Sequence, residues 1–115
     1  MPQIRGTTSL KVNTAQAVIK NTYDYWAIVH VNFTNTGSTL ANISMAVSTN
    51  QQTPNASEWI LYNQVLLPND SYEYRGLTLS SGQYVVVKST SANVVVGATG
   101  IADQNQILTN DIVQQ

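Results

Sequence analysis

The side chains that could carry out catalysis are few in this sequence. His30 is the only histidine, and there is no cysteine, so a catalytic triad would have to use His30 and no thiolate nucleophile or thiolate metal ligand is possible. No Gly-x-Ser-x-Gly sequence occurs, and His30 lies in a regularly alternating segment, so we expect an exposed strand histidine. Because a zinc site needs about four nitrogen, sulfur or carboxylate ligands, we expect no metal.

The acidic residues do not predict a catalytic pair or a calcium site. Glu58, Asp70 and Glu73 are near one another in sequence, but a glycosidase pair must face one cleft at ~5 to 10 Å, and neighbouring turns explain these residues more simply. Residues 103–105 begin like a calcium loop, yet Gln114 stands where the loop needs glutamate. We therefore expect no catalytic residue and a protein that is not an enzyme.

Phosphate and nucleic-acid binding are equally unsupported. The six glycines stand singly along the chain, so no glycine-rich phosphate loop is present and no cofactor is expected. The five basic residues are dispersed, whereas nucleic-acid binding needs a basic groove or patch. We expect neither nucleic acid nor membrane as a partner, because no apolar run approaches the ~18 residues of a membrane span.

Low charge is the main compositional feature. Charged residues make up 10% of the chain, with a net charge of -1, against about 25% in ordinary domains. Polarity comes instead from amide and hydroxyl side chains, which do not generate the repulsion that keeps charged surfaces apart. A surface with so little charge favours association with other protein subunits. The first residues lack the apolar core of a signal peptide, so we expect synthesis in a cytoplasm.

The stretch at residues 26–49 has the clearest alternation of apolar and polar residues, and it would position His30. Two alternating runs flank a short polar loop that contains Gly37, which predicts a β-hairpin. The return run carries Ile43, Met45 and Val47 on one face. The core face of the first run is predicted to comprise Ala27, Val29, Val31 and Phe33.

The remaining segments predict an all-β protein. No window shows helical periodicity, and about eight short strands at 8 to 12 residue spacing predict a single antiparallel β-sandwich domain, jelly-roll or Ig-like, over residues 1–115. Residues 58–67 are apolar on both faces, which suggests a strand covered on both sides. We expect an N-terminal arm at residues 1–8, short strands at 9–12 and 16–20, a last strand at 94–99 and a C-terminal arm at 102–115.

A second hairpin is predicted at residues 71–89, around Ser81-Gly82. Its register would place Leu79 beside Tyr84, and Leu77 beside Val86. Gly76 is expected to form a bulge that keeps the preceding tyrosines on the core side. In the last predicted strand, Gly97 marks a place where another backbone or side chain approaches closely.

The second half of the chain, residues 58–101, resembles small β-sandwich virion proteins of tailed bacteriophages. The likeness rests on a Trp-rich strand, a Leu-Pro turn, a Leu-x-Leu strand, a Ser-Gly turn and a valine-rich strand closing on Gly-Ile, found here at residues 59–61, 67–68, 77–79, 81–82 and 94–101. The Asn-Thr-Gly loop at residues 35–37 is also similar. The resemblance implies a virion component, either capsid decoration (cement) or neck, tail or fibre, that binds other virion proteins.

Exposed aromatic residues predict where such a protein would associate. We expect a homo-oligomer, specifically a trimer, whose subunit interface includes Trp26, Ile28, Ile60 and Tyr62. One alternative is a carbohydrate-binding module, with a host surface glycan as its ligand, because aromatic side chains also stack on sugars. An Ig-like adhesion domain is a second alternative. The candidate stacking residues are Trp26, Trp59, Tyr62, Tyr72, Tyr74 and Tyr84.

Overall fold

The computed structural model describes residues 3–102, which form eight strands in two packed sheets. The one helical segment within these residues is a 3₁₀ turn at Ala56–Glu58. The strands are β1 Gln3–Ser9, β2 Gln16–Lys20, β3 Ala27–Asn35, β4 Ala41–Ser48, β5 Trp59–Leu66, β6 Ser71–Leu79, β7 Tyr84–Ser89 and β8 Val94–Ala102.

The order of the strands is that of a jelly roll. The first sheet has the order β1-β8-β3-β6 and the second sheet β2-β7-β4-β5, with every strand pair antiparallel. The first four strands pair with the last four in reverse order: β1 with β8, β2 with β7, β3 with β6 and β4 with β5. The chain is thus one long antiparallel hairpin that turns between β4 and β5, and its strands are divided between the two sheets. This is the double Greek key of a jelly roll and not the Ig arrangement. The predicted eight-stranded sandwich is confirmed.

The core face predicted for β3 is confirmed. Its four apolar residues, Ala27, Val29, Val31 and Phe33, are fully buried, because alternation turns every second side chain towards the opposite sheet. β4 is more extensively covered than a one-sided stripe predicts. Ser44, Ala46 and Ser48 on its other face are also buried, and two of them are bonded to the segment that runs alongside: the Ser48 hydroxyl donates to Glu58 and the Ser44 hydroxyl accepts from the Asn63 amide.

Neither predicted hairpin exists. β3 and β4 belong to different sheets, so residues 36–40 carry the chain across the sandwich, and β6 and β7 are separated in the same way. Leu79 pairs with Ala27 rather than with Tyr84, and Tyr84 pairs with Ser48. The physical reason is that alternation specifies which face is buried but not which strand lies alongside.

The two glycine predictions had opposite outcomes. The bulge at Gly76 is confirmed, because Val29 pairs with Leu77 and Val31 with Tyr74, and Gly76 has a φ of 75°. The close approach at Gly97 is wrong, since a Cβ there would meet nothing nearer than a methyl group of Thr7 at 4.0 Å. The close approach occurs three residues later in β8, at Gly100.

The two ends of the described region are more regular than predicted. Most of the expected N-terminal arm is β1, which pairs with β8 over its whole length and places Ile4 in the core. Residues 9–12 do not form a strand of their own; Val12 makes an isolated bridge to Ser89. At the other end, β8 includes Ala102, whereas the rest of the predicted C-terminal arm lies outside the described residues.

Candidate functional site

Two exposed apolar surfaces stand out, one on each sheet. The first, which we call the Trp26 patch, consists of Trp26, Ile28 and Ile101, with exposed fractions of 56%, 44% and 44%. Ile28 and Ile101 lie directly opposite each other in the β3–β8 register, on the face that points away from the core. Trp26 immediately precedes β3. The patch therefore covers one end of the outer face of the first sheet.

The second, which we call the β5 surface, follows an edge strand of the second sheet. Leu67 directly follows β5, and Leu40 directly precedes β4. The pairing of Ala41 with Leu66 brings those two ends together. The members of the β5 surface are Leu40, Ile60, Tyr62, Val65 and Leu67, and all are exposed.

β5 differs from the other edge strands in having no charged residue. The edge strands are β1, β6, β2 and β5; the first three carry Arg5, the pair Glu73 and Arg75, and Lys20. Charges on edge strands prevent unwanted association between sheets. Residues 59–66 carry no charge, so β5 lacks this protection against association.

The backbone of β5 is too irregular for simple extension of the sheet. Its pairing with β4 has two register shifts, one on each side of Met45, and Asn63 has a φ of 53°. Bulges of this kind twist an edge strand and interrupt its row of free hydrogen-bonding groups. The geometry favours packing of exposed side chains over the addition of another strand.

The four predicted interface residues do not form one surface. Trp26 and Ile28 lie in the Trp26 patch, whereas Ile60 and Tyr62 lie in the β5 surface on the other sheet. Sequence analysis missed Leu40, Val65, Leu67 and Ile101, which the structure adds to these two surfaces. The sequence shows these residues as apolar side chains outside the predicted core. It does not show the strand pairing that brings them together into two surfaces.

The tyrosines and tryptophans divide into a partly buried group that packs against the core and a group that does not. Tyr72 and Tyr74 pack against the core, as do Tyr23 and Tyr25. In the second group, Trp59 and Tyr62 form an edge-to-face pair with ring centroids 5.8 Å apart. The Lys88 ammonium lies 5.5 Å from the Trp59 ring centroid and 5.9 Å from that of Tyr62. Only part of the predicted stacking set is thus available to a ligand.

The acidic residues have local structural roles. Glu58 accepts hydrogen bonds from the Ser48 hydroxyl at 2.9 Å and from the Asn55 amide at 2.7 Å, which closes the turn before β5. Asp70 accepts a bond from the amide of Ser71 at 2.9 Å. Turn formation therefore accounts for two of the three acidic residues that sequence analysis considered together.

No cluster of three or more potential metal-ligating side chains occurs within residues 3–102. In that same part of the chain, no helix has the length and apolar character needed to cross a membrane.

Comparison with known proteins finds no matching family model and no matching curated protein. The fold and the exposed surfaces are therefore the observations from which a function must be inferred.

Proposed function

We propose that this protein is a structural subunit of a symmetric assembly that works by binding neighbouring subunits rather than by catalysis. The observation that carries the proposal is the presence of two exposed apolar surfaces on different sheets, one of them along an uncharged edge strand. Large exposed apolar surfaces commonly mark sites of protein association. The proposed setting is a phage particle, as a capsid decoration, neck, tail or fibre component, because the strand and turn pattern of residues 58–101 resembles that of such proteins.

Two separate surfaces favour a ring over a simple dimer. If the Trp26 patch of one copy packs against the β5 surface of the next, the contact is heterologous, and heterologous contacts close into rings when the rotation permits. A trimer is the smallest such ring. The jelly roll is compatible with this role, since it occurs in viral capsid proteins, although it also occurs in lectins, and a fold by itself does not define a function.

Light scattering on the purified full chain tests self-association. We expect an oligomer at tens of micromolar that weakens in both Trp26→Ser and Tyr62→Ser, because each substitution removes an exposed aromatic side chain from one surface. Val95→Ser is the matched control, since Val95 is an exposed apolar residue outside both surfaces. A monodisperse wild-type monomer would contradict self-association and leave binding to a different virion protein as the remaining form of the proposal.

The pair formed by Trp59 and Tyr62 supports a second candidate, a carbohydrate-binding module. Accessible aromatic rings can stack on a sugar, and a neighbouring cation can donate a hydrogen bond to it. A glycan array with Trp59→Ala as control distinguishes the two functions. Saturable binding that this substitution abolishes would favour the module, whereas an oligomer that is unaffected by Trp59→Ala and binds no glycan would favour the assembly role.

A further inference from the structure

An open depression with both polar and apolar lining lies on the outer face of the first sheet, beside the Trp26 patch. Its volume is about 450 Å³, within the range of roughly 300 to 1,000 Å³ typical of small-molecule sites. All four strands of the sheet contribute to it. The residues that matter for its chemistry are Arg5, His30, Asn32, Glu73, Gly97 and Thr99.

The strand register places two nitrogen-bearing side chains on either side of one hydroxyl. Arg5 and His30 both pair with Thr99, from β1 and β3 respectively. In an antiparallel sheet, residues paired across adjacent strands project on the same side. The guanidinium, the hydroxyl and the imidazole therefore form one polar row across three strands, assembled from distant parts of the sequence.

The depression exists because the adjacent row has a glycine at its centre. Gly97 pairs with Thr7 on one side and Asn32 on the other. A Cβ at Gly97 would be 4.0 Å from its nearest neighbour, the Thr7 methyl group, so the space is not filled from either side. Glycine here is not required by the backbone, because its φ lies outside the left-handed region. The missing side chain leaves room for a ligand.

Two charged side chains line this space, Arg5 and Glu73. The Glu73 carboxylate accepts a hydrogen bond from Arg75 in an ion pair, so its charge is balanced by its own strand. Arg5 makes no ion pair within residues 3–102. An arginine guanidinium is always charged and can bind a carboxylate through two parallel hydrogen bonds.

We propose that the depression binds a carboxylate-bearing sugar unit. Arg5 holds the carboxylate, while His30, Asn32 and Thr99 hydrogen-bond to the hydroxyl groups of the sugar ring. A neutral sugar would leave the arginine without an ionic partner, and a bare small anion would leave the amide and hydroxyl groups unused. A ligand that carries a carboxylate and several hydroxyl groups is the one that uses both kinds of side chain in this depression.

NMR titration of the full chain with sodium glucuronate, glucose and sodium acetate tests the proposal. We expect saturable shifts of the Gly97 and Thr99 amide signals with glucuronate. Arg5→Gln should weaken that binding by about tenfold or more, because it removes a charge-assisted hydrogen bond. Lys11→Gln is the matched control, since it removes an exposed positive charge that does not line the depression and should leave the affinity unchanged.

Filling the depression provides a second, independent test. Gly97→Val should abolish the saturable shifts, because the added side chain occupies the proposed sugar position, whereas Thr78→Val on the same face should retain them. The amide spectrum of each variant shows at once whether it is folded. Equal binding of glucose or acetate, unchanged binding by Arg5→Gln, or no saturable shift with glucuronate would overturn the proposal while leaving the assembly role untouched.

Discussion

The side-chain amide of Asn35 donates a hydrogen bond of 3.1 Å to the main-chain carbonyl of Leu66. Asn35 ends β3 in the first sheet and Leu66 ends β5 in the second, so this bond joins the two sheets at one end of the sandwich. Asn21 repeats the arrangement at the other end, where its amide donates to the carbonyl of Leu79 at 3.0 Å. Both asparagines are fully buried.

Each asparagine also shapes the loop that follows it. The Asn35 amide donates to the carbonyl of Thr39 at 2.9 Å, and its side-chain oxygen accepts from the amide of Gly37 at 2.9 Å. Asn21 makes the equivalent bonds to Tyr25 and Tyr23. The same side chain thus bends the chain and satisfies the buried backbone groups at the crossing between the sheets.

Asn35→Ala should destabilise the fold strongly. The substitution removes three hydrogen bonds to backbone groups, one of them buried, and we expect a loss of about 2 to 4 kcal/mol in the free energy of unfolding. Urea denaturation measures it. Asn32→Ala is the control, because Asn32 is exposed on the same strand and should change the free energy of unfolding by less than about 0.5 kcal/mol. If the two variants are equally stable, the hydrogen bonds of the Asn35 side chain do not stabilise the connection between the two sheets.

Gly100→Ala and Gly97→Ala should differ sharply although both lie in β8. A Cβ at Gly100 would be near the carbonyl oxygen of Ile28 and 2.9 Å from a Val29 methyl group, so β3 and β8 would have to separate. We expect a loss of at least about 2 kcal/mol for Gly100→Ala, and a change within about 1 kcal/mol for Gly97→Ala because alanine costs less chain entropy. Thermal unfolding of both variants checks the contrast; similar melting temperatures would contradict it.

Val31→Asp should prevent folding. Val31 is fully buried, and an unpaired carboxylate there costs at least several kcal/mol, which is comparable with the whole stability of a small domain. The neighbouring Asn32→Asp, on the exposed face, should remain folded. Circular dichroism and melting curves of the two variants make the comparison, and a cooperatively melting Val31→Asp protein would show that the faces of β3 are assigned the wrong way round.

Tryptophan fluorescence should report on the proposed association. Trp59→Phe leaves Trp26 as the one tryptophan, since the chain has two. Because Trp26 is 56% exposed in the single chain, we expect its emission to shift to shorter wavelength, and quenching by iodide to decrease, as protein concentration rises. In Trp26→Phe the remaining Trp59 is half-buried and should change less. Emission from Trp26 that does not depend on concentration would place it outside any contact between copies.

The sequence by itself determined the local structure and the direction of side chains. Alternation in residues 27–33 identified a strand and the face that is buried, because a regular strand turns successive side chains to opposite sides whatever lies beside it. Gly76 was identified as a bulge for a similarly local reason, since the tyrosines before it and the leucines after it have opposite parity. The low content of catalytic side chains was also evident from composition alone.

Only the tertiary structure decided which strands are neighbours. A hairpin and a crossing between sheets bury the same face of β3, so alternation cannot distinguish them. At the crossing, Asn35 bonds to Leu66, which lies 31 residues away along the chain. The grouping of Arg5, His30 and Thr99 depends in the same way on the pairing of β1 and β3 with β8. A group of side chains like this one arises from pairing between strands that are distant in sequence. The sequence of each strand alone does not indicate which strand it will pair with.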